Sequence, residues 1–357
     1  MLLDSVSLMF RRFSGERSVQ QASFERLKLR LARDLTVPQC MDLVKLLQAQ
    51  THARLGEVAV QRRTEMVLEA GRCVRCGNRD LVKHGRDANG RQRFRCRGTG
   101  GCGKTFNPMT GTVLARMRQP GKWVAYAAQM ADHKSVANVA ASDIGVAPLT
   151  AFRWRQKFLK SQVARPVPML AGVVEADETY FRTSYKGSRG WKRGTPPENR
   201  PPRYRGGSAL KRGLSGEQVP VLTAVDRSGG TLDRVLGTRA EIADELVGRI
   251  AHGSILCTDG LPAYRAVAAL CKSEHRRIEL PSPKSPEQKA KGGTPRKNGR
   301  LGLGMVNAHH QRIRTFVNRR ANGVSTKNLP SYLAWIRAVR RPGFNTTDFL
   351  TDALIHI

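Results

Sequence analysis

The chain has few acidic residues for its size. It carries 28 Asp and Glu against 62 Lys and Arg in 357 residues, a formal net charge of +34. A charge this large draws a protein to phosphate backbones through counterion release, so the composition indicates a polyanionic partner, of which nucleic acid is the obvious one. A ribosomal or architectural protein would be equally basic, and the charge therefore predicts a class of partner without an activity.

Long apolar runs are also missing. The sequence has no run of 18 apolar residues, which argues against a transmembrane helix. Its first residues, MLLDSVSLMFRRFSGERS, lack a basic start before the short apolar stretch and a clear cleavage site, unlike a secretory signal. Apolar content of 40% is ordinary for a folded protein. We therefore expect a cytoplasmic, nucleoid-associated protein that has no membrane partner.

The seven cysteines are odd in number, which argues against a disulfide framework, and four of them cluster. Glycines next to this cluster suit a tight knuckle after the first cysteine pair and a folded-back loop in the second. Four thiolates suit a tetrahedral zinc ion, and small β-rich units fold around such a metal. The alternative is four unrelated reduced cysteines. The spacing predicts a zinc ribbon over residues 69–116, with one structural Zn²⁺ held by Cys73, Cys76, Cys96 and Cys102.

Helical periodicity fills residues 20–68, where Leu and Val recur and a helix start is expected near Thr36, before Pro38. We expect this N-terminal helical region, 1–68, to be a packing element, with self-association as the alternative.

A second helical stretch, residues 122–160, is divided at Gly145. A helix, a tight turn and a second helix beginning near Pro148 predict a helix-turn-helix over 120–162. An ordinary αα-hairpin in a core is the alternative. The expected apolar positions are Val139, Ile144, Val146, Phe152 and Phe158. The side chains expected to face DNA are Thr150, Arg153, Arg155 and Lys157.

From residue 171 the periodicity changes to that of strands, and the elements follow the order of the ribonuclease-H-like fold. Strands are predicted at 173–176, 219–225, 231–236, 255–257 and 276–280, and helices at 240–250, 262–270 and 306–341. The last helix is expected to break near Asn322. The prediction is thus a multidomain chain ending in an α/β ribonuclease-H-like catalytic domain, 170–341, with a C-terminal tail, 342–357. Two basic inserts, 182–214 and 281–304, are too polar to bury a core and are interpreted as DNA-binding arms or solvated loops.

Two aspartates in this region follow short apolar runs: Asp177 in GVVEADETYF and Asp259 in SILCTDGLPAY. A carboxylate at the end of a buried strand is held rigidly and stays open to solvent, as a magnesium site for phosphodiester chemistry requires. We expect two Mg²⁺ (or Mn²⁺) ions here, with a third ligand from the final helix. No acidic residue lies on that helix; Asn307 lies one turn into it, and its amide oxygen can ligate without charge. Glu178 would point to the opposite side of the strand.

The ribbon ending in CGKTFNPMTGT, the helices ending in AFRWRQKFL, and the core segments ADETYF, TDGLPAY and VNAHHQRIR resemble the transposases of insertion-sequence family 1595 (ISXO-like), over roughly residues 70–341. The resemblance implies a DDE-type core in which some members carry Asn as the third residue, so that Asp177, Asp259 and Asn307 would form the catalytic triad. It also implies that Arg314 contacts a DNA phosphate near the cut. The long insert and the wide spacing of the second cysteine pair depart from the family pattern.

The leading hypothesis is therefore a bacterial insertion-sequence transposase. It would bind terminal inverted repeats, cleave their 3′ ends and join them to target DNA, as a homodimer or higher oligomer on double-stranded DNA. A non-catalytic DNA-binding regulator with a degenerate core is the alternative, because a neutral Asn307 resembles a decayed carboxylate. A structure-specific nuclease on the same fold is a third interpretation.

Overall fold

The computed structural model describes residues 21–142, 144–188, 190, 193–195, 215–278, 301–345 and 348–355. Most of the predicted basic insert 182–214, residues 281–300 of the second insert, and the end of the strand predicted at 276–280 lie outside the described residues. The first twenty residues of the predicted N-terminal region lie outside them as well.

Two helices open the described chain: α1, Gln21–Asp34, and α2, Val37–Ala70. The predicted helix start near Thr36 is confirmed, since the backbone N–H of Thr36 donates to Gln39 Oε1 at 2.9 Å. Helix α1 buries none of its residues. The second half of α2 packs more closely, and a Cβ at Gly56 would lie 2.5 Å from the backbone of Pro120. Only a glycine allows this approach.

A small three-stranded antiparallel sheet follows, made of β1 (Leu81–Arg86), β2 (Gln92–Cys96) and β3 (Thr105–Phe106). Phe94 and Phe106 bury their rings in this sheet, and Val67 of α2 packs on them. The sheet is too small to bury a core of its own, so α2 and the cysteines supply the rest.

Three helices come next: α3, Pro120–Ala131, α4, Val136–Ala140, and α5, Pro148–Ala164. Gly145 lies between α4 and α5 with a φ of +63°, a left-handed conformation suited to a tight turn. Phe158 is fully buried, as expected, whereas the expectation that Phe152 would be buried is wrong. Its ring is 42% exposed, on the outer face of α5.

A five-stranded mixed sheet forms the centre of the remaining chain, which confirms the predicted mixture of helices and strands. Its elements are β4 (Val173–Arg182), β5 (Gln218–Asp226), β6 (Thr231–Val235), α6 (Glu241–Leu246), β7 (Ile255–Thr258), α7 (Pro262–Leu270) and β8 (Glu274–Arg277). The strand order is β6-β5-β4-β7-β8. Strand β5 runs antiparallel to β4 and β6, whereas β4, β7 and β8 are parallel to one another.

The predicted end of the first strand near Ala176 is wrong. Strand β4 continues to Arg182, because its pairing with β5 extends without interruption from Val174 to that residue. Its pairing with β7 stops much earlier, at Glu175. Asp177 therefore lies in mid-strand, on the part of β4 whose edge toward β7 is no longer paired.

The C-terminal helices are α8, Gly304–Thr315, continued by a π-helical turn at Phe316–Arg320, then α9, Leu329–Arg340, and α10, Asp348–Ile355. The predicted break near Asn322 is present, and that residue has a φ of +53°. The segment expected as a tail differs from the expectation. Phe349 in α10 is fully buried in the core, because α10 packs on α5.

Two cores lie on the two faces of the central sheet. One face packs on α8 and α9, and its core continues through Trp335 and Phe158 into α3 and α5. The other face, around Leu222 and Leu256, packs on α6 and α7. The helices α3–α5 and the sheet thus share one continuous core. Within the described ranges, no helix is long and apolar enough to span a membrane.

Candidate active site

Alternate residues of β4 meet successive turns of α8. Glu175 Oε2 accepts hydrogen bonds from the first turn of α8, Asp177 Oδ2 lies 3.8 Å from His310 Nδ1, and Thr179 Oγ1 accepts a 2.9 Å hydrogen bond from Arg314 Nε. The strand's period of two puts these three side chains on one face, and β4 and α8 run in the same direction. The helix that carries Asn307 is therefore fixed along the strand that carries Asp177.

Asp177 and Asp259 come together through the parallel pairing of β4 with β7. Glu175 and Cys257 are the last paired residues of the two strands, and Asp177 and Asp259 each lie two positions beyond that pair. The charge of Asp259 acts on Asp177, so the two carboxylates lie within electrostatic reach of each other. Asp259 directly follows β7, as predicted, and is exposed; the Asp177 side chain keeps 24% of its exposure. Burial raises the pKa of Asp177 to about 6, and the carboxylates of Glu178 and Asp259 add to the rise.

Asn307 lies on the exposed edge of α8, one turn before His310 and two turns before Arg314. Side chains three or four residues apart on a helix are neighbours, so Asn307 borders the same side of the site as the two residues that contact β4. Within the described chain, Nε2 of His310 is buried without a hydrogen-bond partner. Burial, together with the nearby Arg314 guanidinium, lowers the pKa of His310 to about 4, so the ring is neutral.

Glu178 points to the other face of β4, as expected from strand alternation. Its carboxylate accepts a hydrogen bond from the Tyr264 hydroxyl of α7, and Arg239 Nε lies 4.0 Å from it. Arg239 also donates to the Tyr180 hydroxyl at 2.6 Å. Burial raises the pKa of Glu178, and the charge of Asp259 raises it further. Asp259 thus lies within electrostatic reach of carboxylates on both faces of β4.

The residues on the exposed side of this site fit a hard divalent cation. Asp177 and Asp259 offer two carboxylates on this side, and the charge of Asp259 adds, after burial and Glu178, to the raised pKa of Asp177. A bound cation would relieve that repulsion. The amide oxygen of Asn307 is a third oxygen donor without charge. Oxygen ligands of this kind suit Mg²⁺ or Mn²⁺, which keep several waters and need few protein ligands.

A second cluster, far from these residues in the sequence, fits a different metal. The ligand atoms of Cys73, Cys76, Cys96 and Cys102 all lie within 4.8 Å of one another. The Sγ atoms of Cys73 and Cys102 are 3.8 Å apart, and those of Cys76 and Cys96 are 3.7 Å apart. A tetrahedral Zn²⁺ with bonds of about 2.3 Å would separate its sulfurs by about 3.8 Å. The four predicted ligands are thus brought together at a separation that suits zinc.

The glycines around this cluster are required by its geometry. Gly77 follows the first pair with a φ of +77°, and the backbone N–H of Arg75 points at Cys73 Sγ, 3.4 Å away. At Gly101 a Cβ would lie 2.1 Å from the carbonyl oxygen of Arg97. The wide spacing of the second cysteine pair is therefore closed by a loop that only glycine can form.

The basic residues predicted to meet DNA are placed differently from one another. Arg314 and Arg153 are exposed. Arg155 is 5% exposed, with its guanidinium 5.0 Å from the Trp335 ring and a hydrogen bond of 2.6 Å to the carbonyl of Lys134. Lys157 Nζ donates to the carbonyl of Ala115 at 3.1 Å. The prediction that Arg155 faces DNA is therefore wrong, because its side chain is used in the core, and Lys157 is largely engaged within the protein.

Glu175 and Thr179 were missed from the sequence. Their signal was available: Glu175 and Thr179 lie two positions before and after Asp177, so in a strand they share its face. Asp233 and His309, joined by a 3.1 Å contact behind the site, were missed as well.

Residues 169–291 match the family of the ISXO2-like transposase domain. A protein of Halobacterium salinarum, described as an uncharacterized protein in transposable element ISH50, is 30% identical over 198 residues, covering 54% of this chain and 63% of that protein. The chain thus spans less than two thirds of that relative. Asp177 and Asp259 lie inside the matched domain, and Asn307 lies beyond its end.

Among solved structures, a simian T-cell lymphotropic virus intasome in complex with PP2A regulatory subunit B56 gamma aligns at a TM-score of 0.25 and 13% identity, over 58% of this chain and 64% of that one. A pre-cleavage Mos1 transpososome aligns at a TM-score of 0.18 and 10% identity, over 66% and 78%. Scores this low carry no weight for fold or function. Residues 169–291 are thus similar to the ISXO2-like transposase domain, and the resemblance of the chain to the transposases of insertion-sequence family 1595 is confirmed.

Proposed function

We propose that the chain is a DNA transposase of an insertion sequence, with Asp177, Asp259 and Asn307 as its catalytic residues. The observation that carries this proposal is that Asp177 and Asp259, each two positions beyond the last pair of β4 with β7, lie within electrostatic reach of each other, with α8 fixed along β4. The strand order β6-β5-β4-β7-β8, with helices on both faces, supports a ribonuclease-H-like core. Residues 170–341 would be this catalytic unit.

The reaction would consist of two phosphoryl transfers at one site. In the first, a water oxygen bonds to phosphorus at the element end and the bond from phosphorus to the element's 3′ oxygen breaks, which leaves a 3′-OH. In the second, that 3′-OH bonds to a phosphorus of the target strand and a target 3′ oxygen leaves. Neither step needs a covalent protein–DNA intermediate. Both steps need the scissile phosphate held in line with the attacking and leaving oxygens.

Each residue of the site has a role consistent with this chemistry. Asp177 and Asp259 would hold divalent ions, with Asn307 as a neutral third ligand. When bound, a pair of such ions activates the attacking oxygen and stabilises the leaving one. Arg314, exposed and fixed through its Nε to Thr179, would hold a phosphate beside the carboxylates.

The remaining units would bind the element ends. The four-cysteine unit, 69–116, would be a zinc ribbon, and α4 and α5 would form the helix-turn-helix of residues 120–162. Arg153 lies on the outer face of α5 beside the exposed Leu149 and Phe152, and we assign that face, without Arg155, to DNA contact.

Cutting two element ends requires at least two protomers. The N-terminal helices support self-association, because they expose large apolar side chains to an extent unusual for a monomer surface. These side chains are Phe24, Leu27, Leu29, Val37, Met41, Val44, Leu46 and Leu47.

The decisive experiment combines binding and cleavage on labelled duplexes carrying the DNA that flanks the gene, with Mn²⁺ or Mg²⁺ added. Asp177→Asn and Asp259→Asn should shift these duplexes as the parent protein does, and should cut none of them. Asp244→Asn, an exposed aspartate on α6, is the matched control and should cut normally. Cleavage by the Asp177 variant would refute the proposal.

The same experiment decides the alternative of a non-catalytic DNA-binding regulator. The neutral and exposed Asn307 favours this alternative, because it removes one charge from the ion site. A regulator would shift the duplexes without cutting them in any metal, and the parent protein would then behave as both aspartate variants do.

A further inference from the structure

Four arginines line a cleft between the small three-stranded sheet and the linker that leads to α3. Arg75 comes from the cysteine knuckle, Arg91 from the end of the β1–β2 turn, and Arg116 and Arg118 from the linker. The cleft has a volume of about 600 Å³. We call it the arginine cleft. It lies outside the candidate active site and outside the matched transposase domain.

The charge of the arginine cleft is only partly balanced from within the protein. Among the described residues, no carboxylate lies within ion-pair distance of Arg75, Arg116 or Arg118. The one acid in the lining, Asp87, is held beside Arg91: its Oδ1 accepts from the backbone N–H groups of Asn89 at 2.8 Å and Arg91 at 3.1 Å, and its Oδ2 from Asn107 Nδ2 at 2.7 Å. Its single charge offsets one arginine and leaves the other three. Cations held together at this density favour an anionic partner.

The linker holds its two arginines in a fixed and strained arrangement. Arg116 has a φ of +65° and Gln119 a φ of +61°, both unusual for residues with a Cβ and costing about 1–3 kcal/mol each. Met117 between them is buried, and the Trp123 indole donates to the carbonyl oxygen of Arg118 at 2.7 Å. Strain kept in place by a buried anchor is a feature of binding sites.

The cleft is also connected to the helices that follow it. The guanidinium of Arg91 lies 5.6 Å from the Trp123 ring on α3. Lys157 of α5 donates a hydrogen bond to the carbonyl of Ala115 in the linker. Burial lowers the pKa of Lys157, and the charge of Arg116 lowers it further. A ligand in the cleft would therefore touch the cysteine unit and lie next to α5 at the same time.

We propose that the arginine cleft binds the backbone phosphates of double-stranded DNA. Its guanidinium groups come from three separate chain segments, which suits a row of phosphates better than one small anion. The lining includes no aromatic side chain on which an unpaired base could stack. DNA as the ligand rests on the proposed function, but the cleft is tested by binding alone.

The test uses the full chain and a short mixed-sequence duplex, with the dissociation constant measured over a series of salt concentrations. The test variant carries three substitutions together: Arg75→Gln, Arg116→Gln and Arg118→Gln. Arg91 is kept, because its guanidinium packs over the Trp123 ring. Each phosphate contact adds about 0.9 to the slope of log K against log salt. The triple variant should lower that slope by about 2.7 and weaken binding roughly a hundredfold at physiological salt.

A control variant with the same loss of charge is Arg26→Gln, Arg30→Gln, Arg33→Gln, on the exposed helix α1. Both variants should retain the zinc content and circular dichroism of the parent. Equal slopes in the two triple variants would overturn the proposal. A second outcome would also overturn the proposal: inorganic phosphate binds the parent through these arginines, but the triple variant has the same salt slope for DNA as the parent. The cleft would then be a small-anion site.

Failure here is distinguishable from failure of the proposed function. If the triple variant keeps the parent's salt slope and the parent cuts DNA with metal, the cleft proposal fails and the transposase proposal stands. If the triple variant loses slope and the parent does not cut DNA with any metal, the cleft proposal stands and the regulator is favoured.

Discussion

The carboxylate of Glu175 accepts a hydrogen bond of 2.7 Å from the backbone N–H of Met305, at the first turn of α8. A second bond, of 3.1 Å, comes from the N–H of Val306. A negative charge at a helix N-terminus satisfies free N–H groups and opposes the helix dipole. The contact lies two residues before Asp177 on the strand and two before Asn307 on the helix. It therefore sets the distance between the two proposed ligand-bearing elements.

Replacing Glu175 should impair both stability and cleavage. Glu175→Ala leaves the N–H groups of Met305 and Val306 without this acceptor and should lower the free energy of unfolding by about 1–3 kcal/mol for each N–H group left unpaired. Glu175→Gln keeps an acceptor oxygen and should lose less. Denaturant unfolding and cleavage rates measure the two effects. Glu245→Ala, an ion-paired residue on α6, is the control and should change stability by less than about 1 kcal/mol. A Glu175→Ala protein as stable as this control would contradict the role assigned.

Asp233 on β6 should make the fold sensitive to acid. Its carboxylate accepts from Thr223 Oγ1 at 3.0 Å and lies 3.1 Å from His309 Nε2. Burial by itself would raise the pKa of Asp233, but His309, Arg337 and Thr223 outweigh burial and hold it below its usual value. The ionised carboxylate therefore stabilises the fold above the pKa of Asp in the unfolded chain. That stability is lost as the pH falls through the lower folded pKa.

Asp233→Asn should lower the free energy of unfolding at neutral pH by about 3–5 kcal/mol, the usual cost of removing one partner of a buried pair. It should also flatten the decline of stability toward acid. Urea unfolding at a series of pH values measures both. Asp244→Asn, exposed on α6, should keep the parent's pH dependence. A parallel acid decline in Asp233→Asn and the parent would exclude this carboxylate as its source.

The elements of the fold followed from local patterns. The apolar runs before Asp259 and the helix at 262–270 were predicted closely, since buried strands and amphipathic helices have short periods that a single sequence shows. The cysteine cluster followed from spacing and the glycines beside it, which the loop at Gly101 requires. These features depend on residues close together in the chain.

Features that depend on distant residues were not predicted. Strand β4 runs past Asp177 because β5 pairs with it, and no local pattern shows that pairing. The basic Arg155 is buried because Trp335, 180 residues later, offers a ring for its guanidinium. Charge alone suggested a DNA contact there. The face of a helix that is exposed depends on tertiary neighbours, which a single sequence does not show.

A carboxylate at the proposed third ligand position should strengthen metal binding. Asn307→Asp adds a negative charge at an exposed position of α8, one turn before His310, which lies 3.8 Å from Asp177. Without metal, the added repulsion should lower the melting temperature; with Mg²⁺, the variant should gain more stability than the parent and reach half-maximal cleavage at a lower Mg²⁺ concentration. Thermal unfolding with and without Mg²⁺ gives the result independently of activity.

Asn318→Asp provides a control for this change, because it adds the same charge at an exposed position of the π-helical turn that follows α8, beyond Arg314. It should leave the Mg²⁺ dependence of the melting temperature unchanged. Equal Mg²⁺ effects in both variants would show that Asn307 lies outside the ion site.

Removing Cys96 should unfold the small sheet and leave the central one intact. Its thiol is fully buried against Phe94 and Phe106 and lies 3.7 Å from Cys76 Sγ. Since a sheet of this size depends on its metal, Cys96→Ser should lose bound zinc and become cleavable by protease within 69–116. The central sheet has its own two cores and should keep its unfolding transition. Cys40→Ser, on α2 away from the cluster, should retain zinc, and equal zinc content in both variants would show that Cys96 is not a ligand.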